Sequence, residues 1–148
     1  MPISLKRATI QDIPALLSIE KSVAGTKIYS PMLEESEWIE EFDNGPIYLI
    51  EKDGIVVGNI SYEKKSDDHV YISGLAIDSH FQNQGIAREV LGQILESLKD
   101  IKRIDLMTHP ENTVALKLYQ SLGFVIESRK ENYYGDSEPR LVLALERD

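Results

Sequence analysis

The stretch "HFQNQGIAREVLG", His80 to Gly92, decides how this chain is read. A loop holding Gln82, Gly85 and Ala87 runs straight into a segment whose Ile86, Val90, Leu91, Ile94, Leu95 and Leu98 recur at helical spacing. Small residues where loop becomes helix let a backbone come close to a ligand, and the first N–H groups of any helix lack internal partners. Together with the helix dipole they form a seat for a pyrophosphate. The same glycine serves equally well in a plain tight turn. No lysine follows it in the Walker manner and no G-x-G-x-x-G is present, so the stretch alone leaves both readings open.

Working outward, "HVYISGLAI" just upstream is nearly continuous in apolar residues and reads as a central strand buried on both faces. Downstream, "RIDLMTH" is another strand, and "NTVALKLYQSLG" is a helix that Gly123 ends. "PIYLIEKDGIVVGNISYEK" is a hairpin, two strand-like runs around Asp53-Gly54, a pair suited to positive φ. Near the start, "ISLKRA" is a short strand. Thr9 then caps a helix over residues 10–21 with Ile13, Leu16, Leu17 and Glu20 on one stripe, and Pro14 close to the first turn. "VAGTKIYSP" is a loop, and "MLEESEWIEEF" an acidic helix expected to bury Trp38, Ile39 and Phe42. "FVIESRK" and "PRLVLALE" close the chain as a strand pair joined by "ENYYGDSE". The order βααβββαβαββ predicts an α+β fold with one mixed sheet. With no repeat or linker, residues 1–148 are expected to form a single domain.

The totals exclude more than they propose. The chain has 148 residues, no cysteine and a formal net charge of −9. Absence of cysteine removes disulfides, thiolate metal sites and a cysteine nucleophile. The acidic balance argues against a phosphate-tracking nucleic-acid binder and is compatible with a cationic substrate such as an amine, although it also serves solubility. No apolar run reaches the roughly 20 residues of a membrane span. "MPISLKRATI" lacks an apolar core before a cleavage site, so the expectation is a cytoplasmic protein without membrane partners.

Strand, glycine loop, helix, strand, asparagine-led helix, "LYQSLGF" and terminal hairpin together are far more specific than any one part. The sequence resembles the Gcn5-related N-acetyltransferases (GNAT), whose signature Q/R-x-x-G-x-G/A is matched by Gln82-Asn83-Gln84-Gly85-Ile86-Ala87. "YISGLAIDSHFQNQGIA", "NTVALKLYQSLGF" and "ENYYGD" look most like the protein N-α-acetyltransferases, the ribosomal-protein type included.

The resemblance implies a sheet of about seven strands flanked by four helices, with the fourth and fifth strands splayed around acetyl-CoA and no metal. Backbone groups of Leu75, Ala76 and Ile77 would hold the pantetheine arm. Gln82 and the amides of Gln84, Gly85, Ile86, Ala87 and Arg88 would form the pyrophosphate cradle, and Asn112, also a natural N-cap, would touch the cofactor. Tyr119 matches the family tyrosine that protonates the coenzyme sulfur, its alternative being a core tyrosine. Tyr133 and Tyr134 match tyrosines that hold a peptide N-terminus, and Tyr29 is a looser equivalent on the other wall. The implied activity is acetyl transfer to a primary amine, a peptide α-amine first. A small amine acceptor, whose site the acidic helix "LEESEWIEEF" would line, and a non-catalytic acyl-CoA-binding module are the alternatives, as monomer or homodimer.

The pattern departs at the base. Relatives place Glu or His on the fifth strand where this chain has Met107, which cannot take a proton. Tyr71 with an ordered water is the first replacement and His109, two residues past Met107, the second.

Overall fold

The computed structural model describes residues 3–147. Seven strands form one mixed sheet. They are β1 (Ile3–Arg7), β2 (Ile47–Lys52), β3 (Ile55–Ser66), β4 (His69–Ile77), β5 (Arg103–Thr108), β6 (Val125–Lys130) and β7 (Arg140–Glu146). The helices are α1 (Ile13–Val23), α2 (Glu35–Asn44), α3 (Ile86–Ser97) and α4 (Thr113–Ser121). Spatial order is β1-β2-β3-β4-β5-β7-β6. All neighbours run antiparallel except β4 and β5, the one parallel pair among the described residues. The expected order of elements, sheet and helix count are therefore observed.

That parallel pair creates the site. β4 and β5 are in register only over His69–Tyr71 against Arg103–Asp105, and beyond Tyr71 they part. The closed end is clamped by charge: His69 Nε2 lies 2.9 Å from Asp105, while Arg103 reaches Asp105, Glu127 and Glu146 at 3.2, 2.7 and 2.9 Å. The larger core lies on one side of the sheet, where Val90, Leu91 and Ile94 of α3 meet Ile60, Ile104 and Leu143. A smaller one packs Leu16 of α1 and Trp38 of α2 on Ile47 and Leu49.

The β2–β3 turn is as expected, with Asp53 and Gly54 at φ of 53° and 79°, the two left-handed residues a two-residue hairpin requires. Four expectations are corrected. Thr9 leads a 3₁₀ turn over Ile10–Asp12, its N–H donating to Asp12 at 2.9 Å, and α1 begins only at Ile13. Pro14 thus takes a first-turn position where its missing N–H is harmless. α2 starts at Glu35 rather than Met32, and it buries Trp38 and Glu41 while Ile39 is 43% exposed. Met32 stays in the loop because the Trp38 indole donates to its carbonyl at 3.1 Å. β4 is not buried on both faces: Val70, Ile72 and Ala76 are buried, whereas Tyr71, Ser73 and Leu75 are only partly covered because they border a cleft.

Candidate active site

Two cavities meet where β4 and β5 separate. One, about 590 Å³, runs between the end of β4, the start of α3 and α4. The other, about 470 Å³, lies between α1, α2, β4 and the loop before β7. Ala76 and Tyr119 line both, as do Leu75, Tyr29 and Asn112.

The first cavity is built by the opening stretch. Gly85 stands at φ 80° as the residue before α3, a conformation that L side chains rarely adopt, and a Cβ there would meet nothing within 4 Å. Glycine is therefore required by the backbone angle, and the space above it is open to a ligand. Asn83, also at positive φ (64°), shares the loop. Gln82 ties the loop to the strand by donating from Nε2 to the Ile77 carbonyl at 3.1 Å. The Asp78 N–H donates to the Val57 carbonyl at 2.8 Å, so by antiparallel alternation Ala76 pairs with Asn59 and turns its N–H and C=O toward β3. With the Ile77 carbonyl taken by Gln82, the groups left on the free edge are those of Leu75 and the Ile77 N–H. Of the residues expected around a coenzyme, Leu75, Ala76, Ile77, Gln82, Gly85, Ile86, Ala87, Arg88, Asn112 and Tyr119 line this cavity. The Gln84 side chain does not: its Oε1 accepts from Lys52 Nζ at 2.6 Å. Arg88 donates to Ser121 at 2.9 Å, tying the start of α3 to the end of α4. Asn112 acts as the N-cap of α4, its Oδ1 accepting the Ala115 N–H at 3.3 Å, and still faces both cavities.

Tyr119 is buried on α4, its ring tilted against Phe124 at 5.9 Å. Burial, with Tyr29 adding to it, pushes its phenol up to about 12. The hydroxyl thus keeps its proton at neutral pH and can give it away.

In the second cavity, Tyr71 on β4 and Tyr134 in the loop before β7 bring their hydroxyls to 3.5 Å. Burial and the neighbouring Tyr134 push the Tyr71 phenol far up, so it works as a hydroxyl and not as a phenolate. Tyr133 packs edge-on against Tyr134 with centroids 4.9 Å apart, and the Arg140 guanidinium lies 5.0 Å from the Tyr134 ring. Tyr29, from the α1–α2 loop, lines the same cavity. Met107 and His109 also border the cavity.

His109 lies just past the end of β5 and is 1% exposed. Its Nδ1 accepts the Glu111 N–H at 3.0 Å and its Nε2 lies 2.7 Å from Glu138. A nitrogen that accepts carries no proton, so the ring proton sits on Nε2 and is given to Glu138. Neither nitrogen keeps a lone pair for a substrate. His109, Glu111 and Glu138 also lie close enough to share an ion. The same bonds weaken that use: a metal on Nε2 would have to displace its proton from a ring whose other nitrogen is already engaged, and Lys27 holds Glu111 at 2.7 Å.

Three further residues of this cavity matter: Glu20 and Asn59 had no place in the sequence reading of the site, and Glu41 belongs to the acidic helix expected to line a small-amine site. Glu20 on α1 and Glu41 on α2 are 8% and 9% exposed. Burial pushes Glu20 up to about 7 against the pull of the Met32 N–H, and burial with Glu63 alongside raises Glu41. Asn59, on β3 opposite Ala76, is 1% exposed. The signal was present: Glu20 sits on the apolar stripe of its helix, and Asn59 interrupts the apolar run "IVVGNI".

A mixed seven-stranded sheet opened between its parallel strands, with a glycine-led helix at the opening, defines the acetyltransferase class. The model of the acetyltransferase (GNAT) family matches residues 13–124, and the chain belongs to that family. It is 30% identical over 87 residues to the L-amino acid N-acetyltransferase of Escherichia coli, covering 55% of this chain and 54% of that protein. It is 34% identical over 84 residues to the ribosomal protein bS18-alanine N-acetyltransferase of Haemophilus ducreyi, covering 53% of this chain and 58% of that protein. The matched stretches thus span a little over half the length of these curated relatives. A GNAT acetyltransferase from Elizabethkingia anophelis, solved with acetyl-CoA bound, superposes with a TM-score of 0.74 at 21% identity over 98% of both chains. Among the described residues no helix is long and apolar enough to cross a membrane.

Proposed function

We propose that this protein transfers the acetyl group of acetyl-CoA to a primary amine, the N-terminal α-amine of a peptide or protein. The observation that carries this reading is the meeting of two cavities at Ala76 and Tyr119, one floored by a strand edge and a helix start, the other walled by tyrosines.

In this reading the free edge of Leu75 and Ile77 pairs with the pantetheine arm, and the first N–H groups of α3 hold the pyrophosphate. Of the two N–H groups that the sequence offers, Ala76 and Ile77, the Ile77 N–H faces away from β3 and polarises the thioester carbonyl. The amine, once neutral, forms the new C–N bond as the C–S bond breaks. Its proton leaves to a water ordered by the Tyr71 hydroxyl, and the departing thiolate takes the Tyr119 proton, which solvent replaces. An α-amine, with a free pKa of about 7.7–8.0, needs less help than a lysine at about 10.4, which suits a site where Met107 replaces a base. Tyr29, Tyr133 and Tyr134 hold the first residues of the acceptor.

A second reading, a small amine acceptor, is favoured by Glu20 and Glu41 in the same cavity and by the amino-acid acetyltransferase among the relatives. Thiol release from acetyl-CoA over a panel of peptides, amino acids and polyamines separates them. Peptide-dependent release is expected. Release only with small amines moves the acceptor to the second class, and tight coenzyme binding without release marks a binding module.

A further inference from the structure

Resting on the acetyltransferase reading, the charge balance of the acceptor cavity says more about what enters it. Glu20 and Glu41 are buried carboxyls, and neither has a cationic partner within salt-bridge distance among the described residues. Glu41 instead faces the Glu63 carboxyl and the Ser73 hydroxyl. Glu20 faces the Met32 N–H and, across from α2, Glu37. The cations nearby are committed elsewhere: Arg140 to Asp136 at 2.9 Å and Lys65 to Glu63 at 2.8 Å. Buried carboxyls are ordinarily either paired or protonated; with no cation from the chain, burial makes these two hold their protons more tightly, and a cation brought by a ligand would pair them.

A second, independent feature lies on the same wall. The Asn59 amide nitrogen is the one buried side-chain nitrogen or oxygen without a hydrogen-bond partner among the described residues, and Asn59 lines this cavity. It stands opposite Ala76, beside the point where the two cavities join. An unsatisfied buried donor costs free energy unless a ligand oxygen meets it. Its place beside Ala76 fits a carbonyl adjacent to the reacting amine, which a peptide has and a simple polyamine lacks.

The reacting amine cannot itself balance the carboxyls, because it must be neutral to attack. A lasting positive charge has to come from another group on the acceptor. We propose that the acceptor is a peptide with a basic side chain within its first three residues, its charge seated against Glu20 and Glu41 and its first carbonyl on the Asn59 amide. Residues along an extended peptide advance about 3.3 Å each, so side chains at these positions span the cavity from Ala76 toward Tyr71.

The test is a set of tripeptide amides carrying arginine at position one, two or three, each matched to the same peptide with citrulline, its neutral isostere, and with glutamate. At least one position is expected to show kcat/KM for arginine about tenfold or more above citrulline, the size of a partly desolvated charge pair, with glutamate lowest. Glu41→Gln and Glu20→Gln are expected to reduce that arginine-to-citrulline ratio below about threefold. The ratio is internal to each preparation, so partial loss of folded enzyme does not move it. Equal rates for arginine and citrulline at all three positions overturn the inference while leaving the acetyltransferase reading in place. Release with spermidine but with no peptide also overturns it. No thiol release with any amine overturns both.

Discussion

His109 Nε2 donates to Glu138 at 2.7 Å, joining the end of β5 to the loop that carries Tyr133 and Tyr134. With Nδ1 taken by the Glu111 N–H, the ring acts as a strut between the sheet and one wall of the tyrosine-lined cavity. His109→Ala leaves the part-buried Glu111 N–H and the Glu138 carboxylate without their partner and is expected to cost roughly 1–3 kcal/mol by denaturant titration. KM for the acceptor should rise while KM for acetyl-CoA holds, and the acid limb of the pH profile should stay in place. A lost acid limb would make His109 the base instead.

Tyr119 is the buried hydroxyl shared by both cavities. Tyr119→Phe keeps the ring against Phe124 and removes only the proton donor. We expect kcat to fall by roughly 10²–10⁴ with coenzyme affinity little changed, read by steady-state kinetics and coenzyme titration. Because its phenol lies near 12, this group should impose no alkaline fall in kcat below about pH 11. Unchanged turnover in the variant would remove the acid role.

At Gly85 the φ of 80° makes any side chain costly although space for it exists. Gly85→Ala is expected to destabilise by roughly 1–2 kcal/mol and to misdirect the first amides of α3. Acetyl-CoA KM should rise on the order of tenfold, the equivalent of about 1.4 kcal/mol, with acceptor KM affected less.

Glu20 makes stability depend on pH in an unusual direction. Its folded value of about 7 lies above the ordinary 4.5, so the folded state holds this proton where the unfolded chain has released it. Its contribution is therefore most favourable below pH 4.5, declines as pH rises through about 7, and is flat above. The full difference is at most roughly 3 kcal/mol at 1.36 kcal/mol per unit. Glu20→Gln should lack this decline, so the variant should be more stable than the parent at pH 8 relative to pH 5. Parallel denaturation curves for the two proteins across that window would refute it.

Local pattern was enough for most of the architecture. The Asp53-Gly54 turn needs only neighbouring residues to adopt its angles, and the α3 stripe is periodic because a single face is buried. The loop before α3 was equally legible, since Gly85, Ile86, Ala87 and Arg88 are contiguous and their conformation depends on backbone direction at one helix start. The second cavity was not. Glu20, Glu41 and Asn59 belong to α1, α2 and β3, and nothing near each in the chain says that they border one cavity. Burial is a property of what packs above a residue: it turned Ile39 outward and Glu41 inward on the same short helix. His109 was read as a strand residue by its spacing from Met107, yet its role follows from bonds to Glu111 and, across 29 residues, to Glu138. The sequence by itself therefore determined the elements, their order and the glycine loop before α3, because these depend on short-range sterics and periodic burial. Only the tertiary structure decided which carboxyls are left without cations and which polar groups are engaged, because desolvation and pairing arise between segments distant in the chain.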